Sequence, residues 1–371
     1  MKTTFPIVAP DPDDPAYRLV TFGYVGRDGD TCDGVLALLH TVTDKDRHSG
    51  DLTPHLMDRQ DDGSWSITYR LRADHRASYQ LHPFRGPVPG TTRADWLHVL
   101  DHAVPDTDTD TDRLPARDGR HPSSVLSLPD APAQPYVRRR EGVPRGRLTA
   151  HEVAGRRIDV HLPDGEGPLG AVAVLLDGEM WGEVLSVGDT LDNLTADGAI
   201  PRTATLLVHT LGPARPEDLS CNLAFVDLLA DRLLPWAQRE FGAPLDPSRT
   251  VIAGQSAGGL TAAFAAFHRP DRFGNALSQS GSFWWPDGTE FDTGSEWLTR
   301  RFAAGDRRPA RFYLEVGLQE WMLLPQNRHL RDVLLAREYA VEYREFNGGH
   351  DYACWRGGLA DGLAHLLGPS A

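Results

Sequence analysis

Continuous apolar runs alternate with helix-length segments in the C-terminal part of the chain, and few folds accommodate this pattern. The runs LGAVAVLLDGE, TATLLVHTLG and RTVIAGQS lack strict apolar–polar alternation, and LAFVDLLADRLLPWAQREF has apolar residues at three- and four-residue spacing. Strands that are apolar on both faces need helices to cover both faces, so this pattern is typical of a largely parallel sheet. It predicts an α/β domain over residues 136–371.

The N-terminal part has a different pattern. YRLVTFGYVGRDGD, GVLALLHTVT and GSWSITYRLRAD are short β-rich runs that Asp, Gly and Pro clusters separate, as in a small all-β sandwich. We therefore predict an N-terminal β-sandwich domain over residues 1–103. Residues 104–135 are rich in Pro, Asp, Ser and Thr. Because such a composition buries little apolar surface, we predict a linker there.

Composition excludes several classes of function. The 371-residue chain has a formal net charge of −14, whereas a nucleic-acid-binding protein needs a basic surface, so no nucleic-acid partner is expected. No apolar run approaches the roughly 18 residues that span a bilayer. The N-terminus MKTTFPIVAPDPDDPAYR also lacks the apolar core of a signal peptide. We therefore expect a cytoplasmic protein with no membrane partner.

The sequence shows neither a disulfide framework nor a metal site. The three cysteines, Cys32, Cys221 and Cys354, are far apart and are interpreted as reduced packing residues. Histidines, cysteines and carboxylates do not recur at the spacing of metal ligands. We expect no bound metal and no cofactor.

The segment VIAGQSAGGLTAAFAAF places Ser256 between a predicted strand and a predicted helix. Gly254 and Gly258 flank it as G-x-S-x-G, the pattern of a nucleophilic serine on a sharp strand-to-helix turn. In an open α/β sheet the active site lies beyond the carboxyl ends of the strands, which is where Ser256 falls. An ordinary glycine-rich turn is the competing interpretation, and the flanking strand and helix favour the nucleophile.

A serine nucleophile needs an imidazole base and an acid that orients the base. In this fold class their order along the chain is serine, acid, histidine. His350, in FNGGHDYACW, follows the last apolar strand and is the predicted base, and Glu320, just after the strand ARFYLEVG, is the predicted acid. Glu315, inside that strand, is the rival acid, whereas Asp351 is adjacent to the base and badly placed to bond its far nitrogen.

The oxyanion that forms on a substrate carbonyl needs backbone N–H donors. The N–H of Ala257, directly after the serine, is one predicted donor. The other is the N–H of Glu179. It lies in the segment AVAVLLDGEMW, in which Asp177 and Gly178 end the predicted strand. A simple Asp-Gly turn is the alternative interpretation of that loop.

Beyond the general motif, the chain resembles the enterochelin esterase family, serine hydrolases that open the ester backbone of catecholate siderophores to release iron. The strongest similarity is in the nucleophile segment, AGQSAGGL with HRPDRFGNALSQSGSFWW, and in the oxyanion strand, LLDGEMW. It extends to a helix with Arg, Cys and Asn, RPEDLSCNLAF, to the acid loop, EVGLQE, and to the histidine loop, GGHDYACWRGGL. VTF, RASYQ and LPDAPAQP resemble the family's N-terminal β domain, in the expected order.

The resemblance implies an α/β-hydrolase with an N-terminal β-sandwich and with the catalytic residues named above. It also implies that Trp181, Arg215 and Asn222 lie near the pocket. Two positions depart from the family, because Ala257 stands where a bulkier aromatic residue is usual and Asp218 stands where glutamate is usual. The smaller residue beside the serine leaves the catalytic residues intact, but the resemblance then does not determine which acyl group the substrate carries.

The substrate that the resemblance implies, a ferric tris-catecholate, is strongly anionic, and the chain itself is acidic. Binding therefore needs a local basic patch, which VRRREGVPRGR supplies, with Arg138 and Arg139 as candidate contacts. A solvated strand face is the alternative interpretation. Trp284 and Trp285 in GSFWWP are candidates for stacking on catechol rings, with core packing as the alternative.

The combined prediction is a serine esterase that hydrolyses the trilactone backbone of a catecholate siderophore, a small-molecule substrate that brings its own iron. Two alternatives stay open. One is a carboxylesterase or acyltransferase that acts on another natural-product ester. The other is a non-catalytic siderophore-binding protein, which would not react with a fluorophosphonate.

Overall fold

The computed structural model describes residues 5–26, 31–106, 112–286 and 294–369. Contacts between residues divide the chain into two units. The N-terminal unit comprises Met1–Ala133, Leu318–Glu320 and Asn347–Cys354. The sheet unit comprises Gln134–Gly317, Trp321–Phe346 and Trp355–Ala371.

The N-terminal unit is built from short antiparallel strands. They are β1 (Ile7–Pro10), β2 (Tyr17–Tyr24), β3 (Gly34–Leu39), β4 (Asp58–Arg59), β5 (Trp65–Arg72), β6 (Arg76–Phe84), β7 (Arg113–Leu114) and β8 (Ser123–Ser127). Two helices accompany them, α1 (Val42–His48) and α2 (Arg93–His102). The strands form two four-stranded sheets, in the orders β1-β2-β5-β4 and β3-β6-β8-β7.

The two small sheets share one apolar core. Val20 and Phe22 of β2 cluster with Val35 of β3 and Leu81 of β6, and the rings of Phe22 and Tyr79 meet edge to face with centroids 4.7 Å apart. Burial at alternate positions of β2 is the period of two that a half-buried strand requires. The predicted N-terminal β-sandwich is confirmed.

The predicted linker over residues 104–135 was wrong. Its described part, 104–106 and 112–135, contains β7 and β8, and residues 107–111 lie outside the described residues. Val125 and Leu126 of β8 are buried, and Leu126 joins the core that the two sheets share. A five-residue strand hardly changes the average composition of a Pro- and Asp-rich segment, so composition alone did not reveal it.

The sheet unit is built on one eight-stranded sheet. Its strands are β9 (Arg147–Val153), β10 (Arg156–Leu162), β11 (Ala171–Leu176), β12 (Thr203–Val208), β13 (Thr250–Gln255), β14 (Asn275–Gln279), β15 (Arg311–Gly317) and β16 (Ala340–Phe346). The order is β16-β15-β14-β13-β11-β12-β10-β9. The strands from β16 to β12 in that order are parallel, and β10 runs antiparallel to both β12 and β9.

The helices of the sheet unit are α3 (Val187–Ala196), α4 (Arg215–Asp218), α5 (Leu223–Leu228), α6 (Leu234–Phe241), α7 (Ala257–His268), α8 (Trp297–Ala304), α9 (Leu324–Ala336) and α10 (Tyr352–Leu367), the last of which starts in the N-terminal unit. Two π-helical segments, Met180–Val184 and Leu229–Leu233, precede α3 and α6. None of the described helices has the length and apolar character that crossing a membrane requires.

Helices cover both faces of the large sheet, which explains the continuous apolar runs. Every residue of β11, β12, β13 and β14 is buried. Ile252 of β13 and Ala276 of β14 cluster with Phe264 of α7. Leu277 lies on the opposite face, where α10 approaches so closely that a Cβ at Gly362 would overlap its side chain. The predicted parallel sheet with helices on both sides is confirmed.

Candidate active site

Ser256 lies on a sharp turn between β13 and α7. Its φ of 56° and ψ of −120° fall in a region that non-glycine residues rarely adopt, as at the strained nucleophile turn of α/β-hydrolases. Gly254 allows the turn to close, because a Cβ there would overlap the backbone of Gly258. The Ser256 N–H donates to the carbonyl of Gln279, 3.0 Å away, so the turn is anchored to the end of β14.

The Ser256 hydroxyl has a partner that sequence reasoning missed. Its Oγ lies 3.2 Å from Oγ of Ser282, and the Ser282 N–H donates to the Ser256 carbonyl over 3.0 Å. Ser282 is buried and follows β14, the strand next to β13. The position of Ser282 after a strand could have indicated its closeness to Ser256, because the carboxyl ends of neighbouring parallel strands meet at one edge of the sheet.

A row of buried hydrogen-bonding side chains, here called the amide row, lies beside this turn. The indole N–H of Trp181 donates to Oε1 of Gln255 (3.3 Å), and Nε2 of Gln255 donates to Oε1 of Gln279 (3.0 Å). Nε2 of Gln279 donates to Oε1 of Glu315 (2.6 Å) and to the carbonyl of Trp355 (2.8 Å). The row links β13, β14 and β15, and its bonds run in one direction toward a buried carboxylate, which strengthens each of them.

The predicted acid and base, Glu320 and His350, are in contact. Both belong to the N-terminal unit, in the segments that follow β15 and β16. Nδ1 of His350 lies 2.7 Å from Oε2 of Glu320, and the Glu320 side chain is fully buried whereas that of His350 is 34% exposed. Opposite an ionised carboxylate, which can only accept hydrogen bonds, Nδ1 would carry the proton and Nε2 would be the proton acceptor. This is the tautomer that a general base needs.

The two other carboxylates considered as the acid, those of Glu315 and Asp351, are bonded in different ways. Glu315 accepts the hydrogen bond at the end of the amide row. Asp351 accepts from the N–H groups of Ser78 (2.5 Å) and Ala353 (2.9 Å). The carboxylate that lies against Nδ1 of His350 is therefore that of Glu320, whereas Glu315 bonds Gln279 of β14.

The loop after β11 is held by side-chain hydrogen bonds. Asp177 has a positive φ of 53°, and its carboxylate accepts two hydrogen bonds from Arg215, at 2.9 and 2.7 Å. The Glu179 carboxylate accepts from the N–H groups of Thr210 (3.2 Å) and Leu211 (2.7 Å). The loop is therefore a fixed structure rather than the simple Asp-Gly turn that was the alternative interpretation.

The two predicted oxyanion donors lie at helix starts. Glu179 precedes the π-helical segment Met180–Val184, and Ala257 is the first residue of α7. N–H groups in a first helical turn have no acceptor within the helix, and the helix dipole favours negative charge there. Both N–H groups thus have the chemistry that an oxyanion requires.

Two family models match the chain. One is described as "Putative esterase" and matches residues 154–366, and the other as "Enterochelin esterase, N-terminal" and matches residues 19–137. The chain is 34% identical over 329 residues to the iron(III) enterobactin esterase of Escherichia coli O6:H1 strain CFT073, with 82% of this chain and 80% of that one covered. The chain belongs to the enterobactin esterase family.

Other members of the enterobactin esterase family match over nearly the whole chain. The iron(III) salmochelin esterase of the same strain is 31% identical, with 98% of this chain and 91% of that one covered. The crystal structure of the Shigella flexneri enterobactin esterase, determined in the presence of enterobactin, has a TM-score of 0.83 at 29% identity and covers 98% and 96% of the two chains. The predicted resemblance and the α/β-hydrolase fold are confirmed, and the chain is a carboxylic ester hydrolase.

The residues that the enterobactin esterase resemblance places near the pocket have partners within the protein. Trp181 is buried and begins the amide row. Arg215 binds Asp177 in the loop after β11. Asn222 caps α5, its side chain accepting from the N–H of Phe225 at 3.2 Å. These three side chains therefore stabilise the segments around the site.

The motif residues beside Asn222 are also held in place. Asp218 is buried and accepts two hydrogen bonds from Arg156, both 2.7 Å long. Burial raises the pKa of the Cys221 thiol to about 12. A thiol with such a pKa stays protonated near neutral pH, so Cys221 does not compete with Ser256 as a nucleophile.

The predicted basic patch is largely balanced by carboxylates. Arg139 lies 3.3 Å from Asp192 and 3.8 Å from Asp189, and Arg140 lies 2.6 Å from Asp197. Because Asp192 is buried, it needs a cationic partner. Arg139 therefore forms ion pairs within the protein, whereas Arg138 is exposed. Contact of either arginine with substrate stays a prediction.

The two tryptophans predicted to stack on catechol rings differ in their surroundings. Trp285 packs against the apolar core of the sheet unit and meets Trp297 edge to face, with centroids 5.8 Å apart. Trp284 is half-buried, and its carbonyl accepts from the N–H of Glu296 at 3.3 Å. Core packing thus accounts for Trp285, and Trp284 is the better candidate for contact with a ligand.

Among the described residues, one group has ligand atoms close enough together for a metal ion. Asp159, Glu183 and His209 have such atoms within 4.8 Å of one another. Arg157 lies 3.3 Å from Asp159 and 3.0 Å from Glu183, so its guanidinium already balances the two carboxylates. This group is therefore satisfied as an ion-pair cluster.

Proposed function

We propose that this chain hydrolyses the ester bonds of a catecholate siderophore trilactone through an acyl-enzyme at Ser256. The observation that carries the proposal is the strained Ser256 turn, in a chain whose two parts both resemble iron(III) enterobactin esterases. Iron is cargo of the substrate in this reaction and not a cofactor. We place the reaction in the cytoplasm.

We assign His350 as the general base and Glu320 as the acid that orients it. Ser256, Glu320 and His350 follow β13, β15 and β16, which are parallel strands of one sheet. Their order along the chain is that of α/β-hydrolases. The hydrogen bond between Glu320 and Nδ1 of His350 leaves Nε2 to receive the proton of the nucleophile.

In the acylation step, Oγ of Ser256 attacks the carbonyl carbon of the ester, and its proton passes to Nε2 of His350. The carbonyl oxygen becomes negative and accepts hydrogen bonds from the N–H groups of Ala257 and Glu179. When the ester C–O bond breaks, the leaving alkoxide takes the proton from His350. The opened trilactone thereby gains a free hydroxyl group and stays bound as an acyl ester of Ser256.

In the deacylation step, water attacks the acyl carbon and gives its proton to Nε2 of His350. The Ser256 oxygen then leaves with that proton, and the product departs as a carboxylic acid. Each cycle consumes one water and cuts one ester bond, and the groups named here supply all its proton transfers.

A chromatographic time course with iron-free and ferric enterobactin tests the proposal. The wild-type chain is expected to convert the macrocycle stepwise into shorter linear products. Ser256→Ala is expected to lose cleavage by a factor of about 10⁴ or more, while keeping the fold. Ser248→Ala is the matched control, because it removes an exposed hydroxyl of the sheet unit that bonds only locally, to Asp246.

The outcomes separate the alternatives. Cleavage by Ser256→Ala at the wild-type rate would contradict the assignment of the nucleophile. A wild-type chain that reacts with a fluorophosphonate but leaves enterobactin intact would remain a serine hydrolase, with a substrate other than this siderophore. Tight binding with neither cleavage nor labelling would instead identify a siderophore-binding protein.

A further inference from the structure

Two consecutive residues of the N-terminal unit bond both backbone groups of His350. The His350 N–H donates to Oγ1 of Thr41 over 2.9 Å. Its carbonyl oxygen accepts from Nε2 of His40, 2.8 Å away. His40 and Thr41 follow β3 directly, and the His40 N–H donates to the carbonyl of Ser78 on β6. The backbone of the histidine loop is thus tied to two strands of the sandwich.

Thr41 has a conformation that its type rarely adopts. It is buried, and its φ is 68°, which is a genuine outlier for a β-branched residue. It is also the N-cap residue of α1, where a threonine hydroxyl usually bonds the first turn of its own helix. Here the hydroxyl makes no such capping bond and accepts from His350 instead. Strain of this kind persists where the surroundings enforce it, and it clusters at functional sites.

The contact between the two segments is as close as the backbone permits. Gly349 lies directly against Thr41, and a Cβ at position 349 would overlap the Thr41 side chain. On the other side of His350, the Asp351 carboxylate accepts from the N–H of Ser78 on β6. The residues before and after His350 are therefore both fixed against the sandwich, and the imidazole has little freedom to shift from Glu320.

From this geometry we propose that Thr41 and His40 are positioning residues for the general base. The N-terminal sandwich is then part of the catalytic apparatus, because its residues hold the backbone of His350. This inference rests on the proposed function, in which His350 is the base. A displacement of about 1 Å by a change remote from the chemistry lowers turnover by about 100-fold, so loss of these bonds should lower kcat far more than it changes KM.

Thr41→Val tests the proposal most directly. Valine has the same shape and the same β-branching, so the backbone strain is unchanged, but it cannot accept the hydrogen bond from His350. We expect kcat to fall by roughly 10- to 100-fold with KM within about twofold of wild type. Thr41→Ser restores the hydroxyl and should recover most of that loss. Thr21→Val is the matched control, since it removes a hydroxyl of the same unit that bonds Thr68 on the sandwich.

His40 gives a second test that does not alter the strained position. His40→Leu removes the donor to the His350 carbonyl, whereas His40→Gln can keep an N–H at that place. We expect His40→Leu to lower kcat and the rate of fluorophosphonate labelling, and His40→Gln to recover part of both. Thermal unfolding midpoints measured alongside separate loss of positioning from loss of folded protein.

The results distinguish failure of this inference from failure of the proposed function. Thr41→Val and His40→Leu could have the same kcat as the control Thr21→Val while His350→Ala is inactive. The positioning role would then be wrong and the base assignment would stand. If His350→Ala itself keeps wild-type activity, the proposed mechanism is wrong. A drop in kcat that Thr41→Ser reverses, with the folded fraction unchanged, supports the inference.

Discussion

The serine and the histidine of this site are held in different ways. Ser256 takes its position from the chain around it: the strand before it, the helix after it, and a bond to the next strand. His350 and Glu320 lie on loops and belong by their contacts to the N-terminal unit. Their neighbours in space come from far away in the sequence, as the 309-residue separation between Thr41 and His350 illustrates.

Substitutions near Ser256 and substitutions near His350 should therefore change different properties of the protein. A turn enforced by a strand and a helix moves only if the sheet itself moves, so damage on the serine side should appear mainly as lost stability. A loop held by a few side-chain bonds can shift while the fold persists, so damage on the histidine side should appear mainly as lost turnover. Two experiments test this contrast, and a third measures how the stability of the N-terminal unit depends on pH.

We expect the strongest effect from a comparison of Glu320 with Glu315, both of which are buried. Glu320→Gln removes the charge that stabilises the His350 imidazolium and permits the wrong tautomer, so we expect kcat to fall by about 10³–10⁴. Glu315→Gln keeps an Oε1 acceptor for Gln279 in the amide row, so its kcat should stay within about tenfold of wild type. Steady-state kinetics on one ester substrate measures both. A larger loss for Glu315→Gln would reverse our assignment of the acid.

An effect of intermediate size is expected when the amide row beside the Ser256 turn is interrupted. Gln279→Leu removes three buried hydrogen bonds, and each buried polar group that loses its partner costs about 1–3 kcal/mol. We expect the free energy of unfolding to fall by about 3 kcal/mol or more, with a loss of kcat no greater than about tenfold in the protein that remains folded. Urea unfolding followed by assay measures both quantities.

Gln238→Leu is the control for Gln279→Leu, because it is the same change at an exposed position of α6. A Gln279→Leu variant with control-like stability and a large loss of turnover would contradict the contrast between the two sides.

The smallest effect concerns pH and the N-terminal unit. Burial, with the nearby His98 and His102 as a second cause, lowers the pKa of His82 to about 4 from an ordinary value of 6.5, and burial also lowers the pKa of His75. Between pH 6.5 and 4 the unfolded chain therefore binds protons that the folded chain does not. The stability that these neutral histidines contribute is complete above pH 6.5 and is lost as the pH falls through this window.

Urea unfolding at a series of pH values between 7 and 4 measures this loss. His82→Gln should reduce the pH slope of stability by at most about 1.4 kcal/mol per pH unit, the value for one proton. His121→Gln, at an exposed position, should leave the slope unchanged. An unaltered slope in His82→Gln would show that this histidine does not couple folding to pH.

The strands and the turn around Ser256 could be predicted because their signals are local. A strand buried on both faces must be apolar throughout, so β11, β12 and β13 could be recognised without knowing their neighbours. The sharp turn at Ser256 needs a glycine at position 254, and both residues lie in one short segment. The partner Ser282 is only 26 residues away, yet it was missed because its contact depends on which strand lies beside β13.

The rest of the site depends on pairings that no local pattern encodes. The ion pair of Arg139 could not be predicted, because its carboxylate partner Asp192 lies 53 residues away on α3. Thr41 carried no signal at all, because a threonine at a helix start is ordinary until its hydroxyl is found to bond another loop. The linker prediction failed for a different reason, since a window long enough to judge composition conceals a strand as short as β8.

The hydrogen bond between Thr41 and His350 also affects the order in which the enzyme folds. Closing a loop of this length costs chain entropy that only later contacts repay, and pairings between such distant residues form slowly. The turn at Ser256 can form as soon as β13 and α7 do. We therefore expect a newly made chain to form the turn at Ser256 before His350 is fixed, so that esterase activity appears only in the last step of folding.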